Sequence, residues 1–382
     1  MERRDRLAGW KDKVLFTPGP LTTSQSVKQA LLRDVGSRDS EFIDRVRDIR
    51  RRLVALGGVS EAEYTAVLMQ GSGTFGLESV VGSTIPRGGK LLVVVNGAYG
   101  RRLVTIAEVL GIETITLAYP EDTLPEPADV ERALAKDTDV FQVSMCSCET
   151  TSGIISPVRE VGDVVREAGR TYFVDAMSSF GGVPINLADC RIDYLVSSAN
   201  KCVEGVPGFS FVLARLDPFL RTHGWARSVS LDLLAQYEGL EKNGQFRFTP
   251  PTHALLAYDQ ALDELEQEGG VAGRAKRYKA NHETLVEGMR RLGFREYLKP
   301  ELQSHIITSF HYPNDPNWDF ERFYSLLNDE DFVIYPGKVG DADCFRVGSI
   351  GRIFPSDVRN LLGAIGRALT DMRVQVPFGP SG

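Results

Sequence analysis

Seven short apolar segments between residues 60 and 215 constrain the fold of this chain more than any other feature of its sequence. Each has four to six residues, is rich in β-branched or aromatic side chains and is apolar on both faces, as is typical of central strands covered by helices on both sides. The segments are TAVLM (65–69), LLVVV (91–95), TITL (114–117), VFQVS (140–144), TYFVD (171–175), DYLVSS (193–198) and FSFVLA (209–214). Helix-like stretches lie between several of them, at 73–84, 98–110, 127–136 and 157–168. This alternation predicts an α/β fold with a mostly parallel, seven-stranded sheet.

The pattern changes in the C-terminal third of the chain. Two long helices are predicted over 252–292, with a break near Gly269 and Gly270. A strand-like segment at 306–312, a helix near 319–328, short strands near 332–335 and 344–347, and an amphipathic helix over 356–372 follow. We therefore expect an N-terminal arm and a large domain over residues 1–266, packed closely against a small α/β domain over 267–382.

Composition and charge argue against several classes of function. A formal net charge of -7 over 382 residues does not suit a nucleic-acid binder. The five cysteines are odd in number and scattered, unlike a disulfide framework, and the five histidines show no metal-ligand spacing, so we expect no metal. The N-terminal residues contain no apolar signal-peptide core, and the longest apolar runs are too short to span a bilayer. We expect a cytoplasmic protein without membrane contact.

A glycine-rich turn, Gly71-Ser-Gly-Thr-Phe-Gly76, follows the first of the seven segments and opens a helix. It matches G-x-G-x-x-G, the pattern of dinucleotide-binding folds. Such a fold would place an acidic residue at the end of the next strand, where this chain has Asn96 and Gly97. Free N–H groups at a helix start also suit a phosphate, with the Ser72 and Thr74 hydroxyls as further donors. The turn is a candidate phosphate site, and a plain strand-to-helix connection is the alternative.

Asp175 and Lys201 form the second candidate site. Asp175 ends TYFVD, and Lys201 follows DYLVSS in the turn Ser198-Ala-Asn-Lys201, so both are predicted at carboxyl ends of strands, where open α/β sheets bind ligands. Most single lysines are solvated surface charges, but burial between two core strands would lower the pKa of the amine and make it nucleophilic. Pyridoxal 5'-phosphate requires a lysine for a Schiff base, a carboxylate for its ring nitrogen and a phosphate cradle. Lys201, Asp175 and the turn at 72–74 supply one of each.

The segments around these residues resemble those of one family. SSANKCVEGVPGF (197–209) resembles the cofactor-lysine segment of the 2-aminoethylphosphonate–pyruvate aminotransferases, a branch of the class V, fold-type I pyridoxal-phosphate enzymes. The resemblance runs from about residue 14 to 372 and includes TPGPLTTS (17–24), QGSGTFGLESV (70–80), NGAYGRR (96–102), CETTSGI (148–154), FVDAMSSFGGVPIN (173–186), FRFTPPTH (246–253) and YPGKVGDADCFRVGSIG (335–351). It implies a homodimeric aminotransferase that converts 2-aminoethylphosphonate and pyruvate into phosphonoacetaldehyde and L-alanine, a step of phosphonate degradation.

The resemblance also implies roles for individual residues. Lys201 would form the Schiff base and move the proton, Asp175 would keep the ring nitrogen protonated, and Arg346 would hold the acidic group of the substrate. The implied cofactor-binding residues are Ser72, Gly73, Thr74, Tyr99, Thr150, Asp175, Ser198, Asn200, Lys201, Thr249 and Thr252. Among these, Tyr99 would stack on the cofactor ring, and Thr249 and Thr252 would reach the phosphate bound in a neighbouring subunit. The structural alternatives are a packing role for Tyr99 and a salt bridge for Arg346.

One position departs from the family. Ser147 precedes Cys148-Glu149-Thr150, where the family commonly has histidine. We expect this strand-end residue near the substrate side of the cofactor, where the change would retune substrate preference. The alternative functions are an aminotransferase for another small amino acid and keto acid, and a pyridoxal-phosphate lyase for a related aminophosphonate. A nucleotide-dependent oxidoreductase built on the turn at 71–76, and a non-catalytic binding protein, are more distant alternatives.

Overall fold

The computed structural model describes residues 12–337, 339–340 and 342–375. Outside the described residues lie 1–11 and 376–382, which belong to the two expected domains. The same holds for Lys338 and Asp341 of the YPGKVGDADCFRVGSIG motif. The strands in chain order are β1 (Val14–Leu15), β2 (Tyr64–Gln70), β3 (Lys90–Val95), β4 (Thr114–Ala118), β5 (Val140–Cys146), β6 (Cys148–Glu149), β7 (Ile154–Ile155), β8 (Thr171–Asp175), β9 (Tyr194–Ser198), β10 (Phe209–Arg215), β11 (Ile307–His311), β12 (Phe332–Val333), β13 (Tyr335–Pro336) and β14 (Cys344–Gly348).

Helices cover the sheet and form most of the C-terminal third. They are α1 (Gln25–Ala30), α2 (Ser40–Leu56), α3 (Gly73–Thr84), α4 (Ala98–Val109), α5 (Pro127–Lys136), α6 (Val158–Glu167), α7 (Leu216–Phe219), α8 (Leu233–Asn243), α9 (Thr252–Gln267), α10 (Gly270–Arg291), α11 (Phe320–Asp329) and α12 (Pro355–Met372). None of the helices in the described part of the chain has the length and apolar character needed to cross a membrane.

The central sheet has seven strands in the order β2-β10-β9-β8-β5-β3-β4. Each corresponds to one of the seven apolar segments, so the prediction of an α/β fold with a mostly parallel seven-stranded sheet is confirmed. The reversed strand is β10, which pairs antiparallel with both β2 and β9, whereas the pairs from β9 to β4 are all parallel. Among the seven strands, β4 is the one that is not buried on both faces: it lies at the sheet edge and is partly exposed along its length.

Helix α2 is the largest element that the sequence analysis does not assign. Asp39 caps its start, because the Asp39 side chain accepts a hydrogen bond from the backbone N–H of Glu41. The buried residues Phe42, Val46, Ile49 and Leu53 follow at helical spacing and pack the helix against β2 and α9. The apolar pattern that predicts this helix was therefore present in the sequence, but it is interrupted by the five arginines of the segment, of which Arg47 and Arg51 are exposed.

A second apolar cluster lies in the C-terminal third, around the three-stranded sheet β11-β14-β13. α10, α11 and α12 pack with it, and so does Phe16 from the N-terminal arm, whose strand β1 pairs with β12. The break that separates α9 from α10 lies at Glu268 and Gly269. We propose that the division between residues 1–266 and 267–382 falls at this break, with residues 14–16 of the arm packed on the smaller part.

Phe345 is the centre of this cluster, because six aromatic rings lie within 6.4 Å of it, centroid to centroid: Phe294, Phe310, Tyr312, Trp318, Phe320 and Phe323. We expect Phe345→Ala to lower the free energy of unfolding by about 3–5 kcal/mol, since it removes a fully buried ring and leaves a cavity. Urea unfolding followed by tryptophan fluorescence would measure the change. Leu32→Ala, at a side chain that is 85% exposed, should change it by less than about 0.5 kcal/mol, and equal effects of the two substitutions would contradict the packing described here.

Candidate active site

The candidate site lies at one edge of the central sheet, where five strands that point in the same direction end. At this edge β2 leads into the turn at 71–74, β3 into residues 96–99, β5 into residues 147–150, β8 ends at Asp175, and β9 leads into the turn that carries Lys201. Open α/β sheets bind ligands at the carboxyl ends of their strands. The fold therefore gathers residues from five separate parts of the chain into one region.

Asp175 is buried, with 1% of its surface exposed, yet its carboxylate is only half satisfied. Oδ1 accepts a hydrogen bond of 2.9 Å from the backbone N–H of Met177, whereas Oδ2 is buried and has no hydrogen-bond partner in the described part of the chain. Burial raises the pKa of Asp175 to about 6, and the nearby cationic groups of Arg102 and Lys201 oppose that rise. An unpaired, buried carboxylate oxygen is costly, and it suits a ligand group that brings its own N–H and positive charge.

Lys201 lies in the turn that follows β9, the strand next to the one that ends at Asp175, and it is partly buried. Burial lowers the pKa of its amine, so the neutral, nucleophilic form is more populated than in a surface lysine. Its Nζ donates a hydrogen bond of 2.8 Å to the backbone carbonyl of Pro18 in the N-terminal arm. The arm passes very close at this point: a Cβ on Gly19 would lie 2.7 Å from Lys201 Cδ, so only glycine fits.

The turn at 72–74 opens α3 and has the features of an anion cradle. Ser72 is the N-cap residue, but its side chain makes no capping hydrogen bond, so the hydroxyl is free to bind a ligand. A Cβ on Gly73 would lie 2.2 Å from Met177 Sδ, two residues after Asp175, which brings the turn close to the buried carboxylate. The N-terminal N–H groups and dipole of α3 favour a phosphate here.

Tyr99, Thr150 and Arg346 form a connected group on the other side of the region. Burial raises the pKa of Tyr99, and a hydrogen bond with the Thr150 side chain opposes that rise. Arg346 Nη1 donates to the carbonyl of Thr150 over 2.9 Å, and Nη2 donates to the carbonyl of Pro336 over 3.1 Å. The Tyr335 ring covers one face of the guanidinium at 4.7 Å. Arg346 Nε is buried and has no hydrogen-bond partner among the described residues, so its N–H is a donor that could bind an oxyanion.

The other predicted site residues lie around these groups. Ser198 is buried and donates a hydrogen bond to Asn200 Oδ1, next to Lys201. Thr249 is exposed, and its carbonyl accepts from Gln70 Nε2, the residue before the glycine-rich turn. Thr252 is partly buried at the start of α9.

Glu149 is a buried carboxylate that the sequence analysis did not assign. Its Oε2 accepts hydrogen bonds from the backbone N–H of Tyr99 and of Gly100, the first turn of α4, and its Oε1 accepts from the N–H and hydroxyl of Thr151. It therefore ties the loop that carries Thr150 to the helix that carries Tyr99. A Cβ on Gly97 would lie 2.2 Å from this carboxylate. The sequence features that could have indicated this contact are the Asn96-Gly97 pair before α4 and the segment Cys148-Glu149-Thr150 after β5.

Ser147 follows the end of β5 beside Asp175, because its backbone N–H donates to the carbonyl of Asp175 over 2.8 Å. Its hydroxyl accepts a 3.0 Å hydrogen bond from Ser179 Oγ, and its side chain lines a groove formed with the start of α6 and residues 183–185. Lys201, Thr150 and Arg346 are not among the residues that line this groove. That Ser147 retunes substrate preference stays a prediction.

Comparisons with known proteins agree on one family. The aminotransferase class-V family model matches residues 22–338. The chain is 49% identical over 358 residues to a 2-aminoethylphosphonate–pyruvate transaminase of Vibrio vulnificus, covering 93% of this chain and 97% of the relative. It is 48% identical to the protein of the same name from Bacillus cereus, covering 93% and 98%. A bifunctional phosphonoacetaldehyde hydrolase/aminoethylphosphonate transaminase of Clostridioides difficile is 46% identical, with 93% of this chain and 56% of the relative covered.

Solved structures share the fold at lower identity. A ureidoglycine–glyoxylate aminotransferase from Bacillus subtilis superposes with a TM-score of 0.88 at 22% identity, covering 98% of this chain and 97% of that chain. An alanine–glyoxylate aminotransferase from Nostoc sp. has a TM-score of 0.85 at 26% identity, with 97% of each chain covered.

The buried carboxylate makes stability depend on pH in the cofactor-free protein. Because the pKa of Asp175 is raised from its usual 3.8 to about 6, the folded state binds more protons than the unfolded state between these values, so stability falls as pH rises through this window. We expect Asp175→Asn to raise the free energy of unfolding of the cofactor-free protein at pH 7 by on the order of 3 kcal/mol.

Urea titrations at pH 7 and pH 4 would check this, because the advantage of Asp175→Asn should disappear at the lower pH. Asp371→Asn, at an exposed position near the end of α12, is the matched control and should show no such dependence. A variant that is less stable than the parent protein at pH 7 would rule out an uncompensated carboxylate at position 175.

Proposed function

The chain belongs to the class-V aminotransferase family, among the 2-aminoethylphosphonate–pyruvate transaminases, and we propose that it transfers the amino group of 2-aminoethylphosphonate to pyruvate. The products are phosphonoacetaldehyde and L-alanine, as the names of relatives with 46–49% identity over 93% of the chain indicate. The observation that carries the proposal is the unpaired Asp175 Oδ2, buried on the strand beside the one that leads to Lys201. This pairing of groups is what a transaminase cofactor requires.

The residues of the site fit pyridoxal 5'-phosphate. When bound, this cofactor supplies an aldehyde for covalent attachment of amines and a protonated ring that accepts electrons. Asp175 Oδ2 would accept the hydrogen bond of the ring N–H, which gives the buried oxygen the partner that it lacks. The turn at 72–74 would hold the phosphate, and Tyr99 would stack on the ring. Ser198, Asn200 and Thr150 would complete the contacts.

Lys201 has two successive tasks in this proposal. Its amine would first bond to the aldehyde carbon of the cofactor, because burial lowers the pKa of the amine and increases its neutral, nucleophilic form. Once the substrate amine has taken its place, Lys201 Nζ would accept the proton from the substrate carbon that bears the nitrogen and would return it to the cofactor carbon that carried the aldehyde. The carbonyl of Pro18, 2.8 Å from Nζ, holds the free amine at the site between these tasks.

Arg346 would bind the acidic end of each substrate. The phosphonate of the amino donor and the carboxylate of pyruvate both present oxygen pairs that match a guanidinium fork. The hydrogen bonds to the carbonyls of Thr150 and Pro336 fix the direction of the fork. One site can thus accept the two substrates in turn.

A second copy of the chain would complete the site. Phe75 is 50% exposed and Phe248 is 46% exposed, and both lie near Gln70 and Gly71 at the start of the phosphate turn. Exposed aromatic side chains next to a ligand site favour an interface. We propose a homodimer in which Thr249 and Thr252 reach the phosphate of the partner, and a cytoplasmic location, which five free cysteines support.

The reaction is tested by supplying the purified protein with pyridoxal 5'-phosphate, 2-aminoethylphosphonate and pyruvate. We expect alanine and phosphonoacetaldehyde in equal amounts, and no turnover when pyruvate is omitted. Release of ammonia without a keto acid would indicate elimination instead. Turnover only with other amino donors would contradict the proposed substrate.

The proposed role of Lys201 predicts that its replacement changes the visible absorbance of the protein. Lys201→Ala should purify without the yellow colour of the lysine-bound cofactor and should not catalyse the reaction, because Lys201 is the group among the described site residues that offers an amine. Absorbance spectra before and after addition of the cofactor would measure this. Lys276→Ala, at an exposed position on α10, is the control and should remain yellow, and a yellow Lys201→Ala protein would contradict the assignment.

A further inference from the structure

A buried charged cluster lies directly behind the turn that carries Lys201. It consists of Glu204, Glu268, Arg274 and Arg277, and we refer to these four residues as the Glu204 cluster. Arg274 has no exposed surface and Glu204 has 2%. The two carboxylates balance the two guanidinium groups: Glu268 pairs with Arg274 over 2.7 Å and with Arg277 over 2.6 Å, and Glu204 pairs with Arg277 over 2.8 Å.

The cluster holds the backbone of the lysine turn. The N–H of Glu204 donates to the carbonyl of Lys201 over 2.7 Å. Arg274 Nη1 donates to the carbonyl of Cys202 over 2.6 Å, and the Tyr278 hydroxyl donates both to this carbonyl and to Glu204 Oε1. Cys202, the residue after Lys201, is thus held by charged and polar groups of α10.

The same cluster reaches the segment that follows β14, the strand of Arg346. Arg277 Nη1 donates to the carbonyls of Gly351 and Ile353, and the N–H of Gly351 donates to the Tyr278 hydroxyl over 3.4 Å. Arg346 lies five residues before Gly351 in the chain. One set of side chains therefore contacts the backbone near both groups that act on the substrate.

The backbone at Glu204 supports a specific role for this side chain. Glu204 has a φ of +68°, in the left-handed region where a non-glycine residue is unfavourable. Strained residues of this kind persist when surrounding contacts hold them and are common at functional sites. Glycine or asparagine would adopt this φ more easily, so the glutamate at this position is best explained by the contacts of its carboxylate.

We propose that Glu204 is a positioning residue that fixes the Lys201 amine relative to the Arg346 guanidinium. This inference rests on the proposed transaminase function. Glu204 does not touch the substrate; it acts through the lysine turn on one side and through Arg277 on the other. Small displacements of a reacting group cost large factors in rate, so loss of the carboxylate should impair proton transfer at Lys201 more than substrate binding.

The test compares cofactor-loaded Glu204→Asn and Glu204→Gln with the parent enzyme. Asparagine tolerates the left-handed φ but is too short to reach Tyr278 and Arg277, so it removes the contacts without adding strain. We expect Glu204→Asn to lower kcat at least about tenfold, with KM for pyruvate changed less than about threefold. The pH midpoint of the visible absorbance of the lysine-bound cofactor should also shift. Glu204→Gln keeps the length and an acceptor oxygen, and it should restore part of kcat.

The matched control is Glu266→Gln, a carboxylate of α9 with 82% of its side chain exposed, which should leave both readouts unchanged. If Glu204→Asn does not fold, Arg277→Lys tests the same contacts while keeping the charge, and it should lower kcat in the same direction. A folded, loaded Glu204→Asn protein with unchanged kcat and pH midpoint would overturn the proposal. If the parent enzyme does not use the proposed substrates, the pH titration of the visible absorbance still tests whether Glu204 positions Lys201. A failure of the proposed function can therefore be distinguished from a failure of the proposed role of Glu204.

Discussion

The shared direction of β2, β3, β5, β8 and β9 is the constraint on which the rest of this structure depends. Because these strands end at the same edge of the sheet, residues from five separate parts of the chain lie close together there, and no further element is needed to bring them together. The reversed strand β10 closes the sheet between β2 and β9 and so brings the phosphate turn to the side of the lysine turn. The chemistry of the site follows from which residues stand at these strand ends.

The electrostatics of the site divide into groups that are satisfied within the chain and groups that are not. Glu149 is buried and accepts several hydrogen bonds through both of its oxygens. Glu204 is paired with Arg277 through Oε1, although its Oε2 is buried without a hydrogen bond from the described residues, and both carboxylates hold structure in place. Among the described residues, Asp175 Oδ2 at the end of β8 and Arg346 Nε on β14 are buried without partners. Unsatisfied groups of opposite charge are costly to the folded protein and suit a cationic ring nitrogen and an anionic substrate.

The central sheet could be predicted because each strand is a local pattern of apolar, β-branched residues, and the strand ends then placed Asp175 and Lys201 correctly within it. Contacts that join distant parts of the chain gave no such local signal. Pro18 meets Lys201 across 183 residues, and Arg346 meets Thr150 across 196. The side-chain direction of Ser147 depends on its contact with Ser179, which its own sequence neighbourhood does not encode. The motif resemblance therefore predicted which residues form the site, and the packing explains how these residues are held in place.

Chemical mapping of the cofactor attachment tests most directly whether Lys201 forms the Schiff base. The purified, cofactor-loaded protein would be reduced with borohydride, digested and examined by mass spectrometry for the peptide that carries the phosphopyridoxyl group. We expect a single modified peptide, with the mass of the phosphopyridoxyl group added on Lys201. Modification of another lysine, or a protein that binds the cofactor without any covalent label, would contradict it.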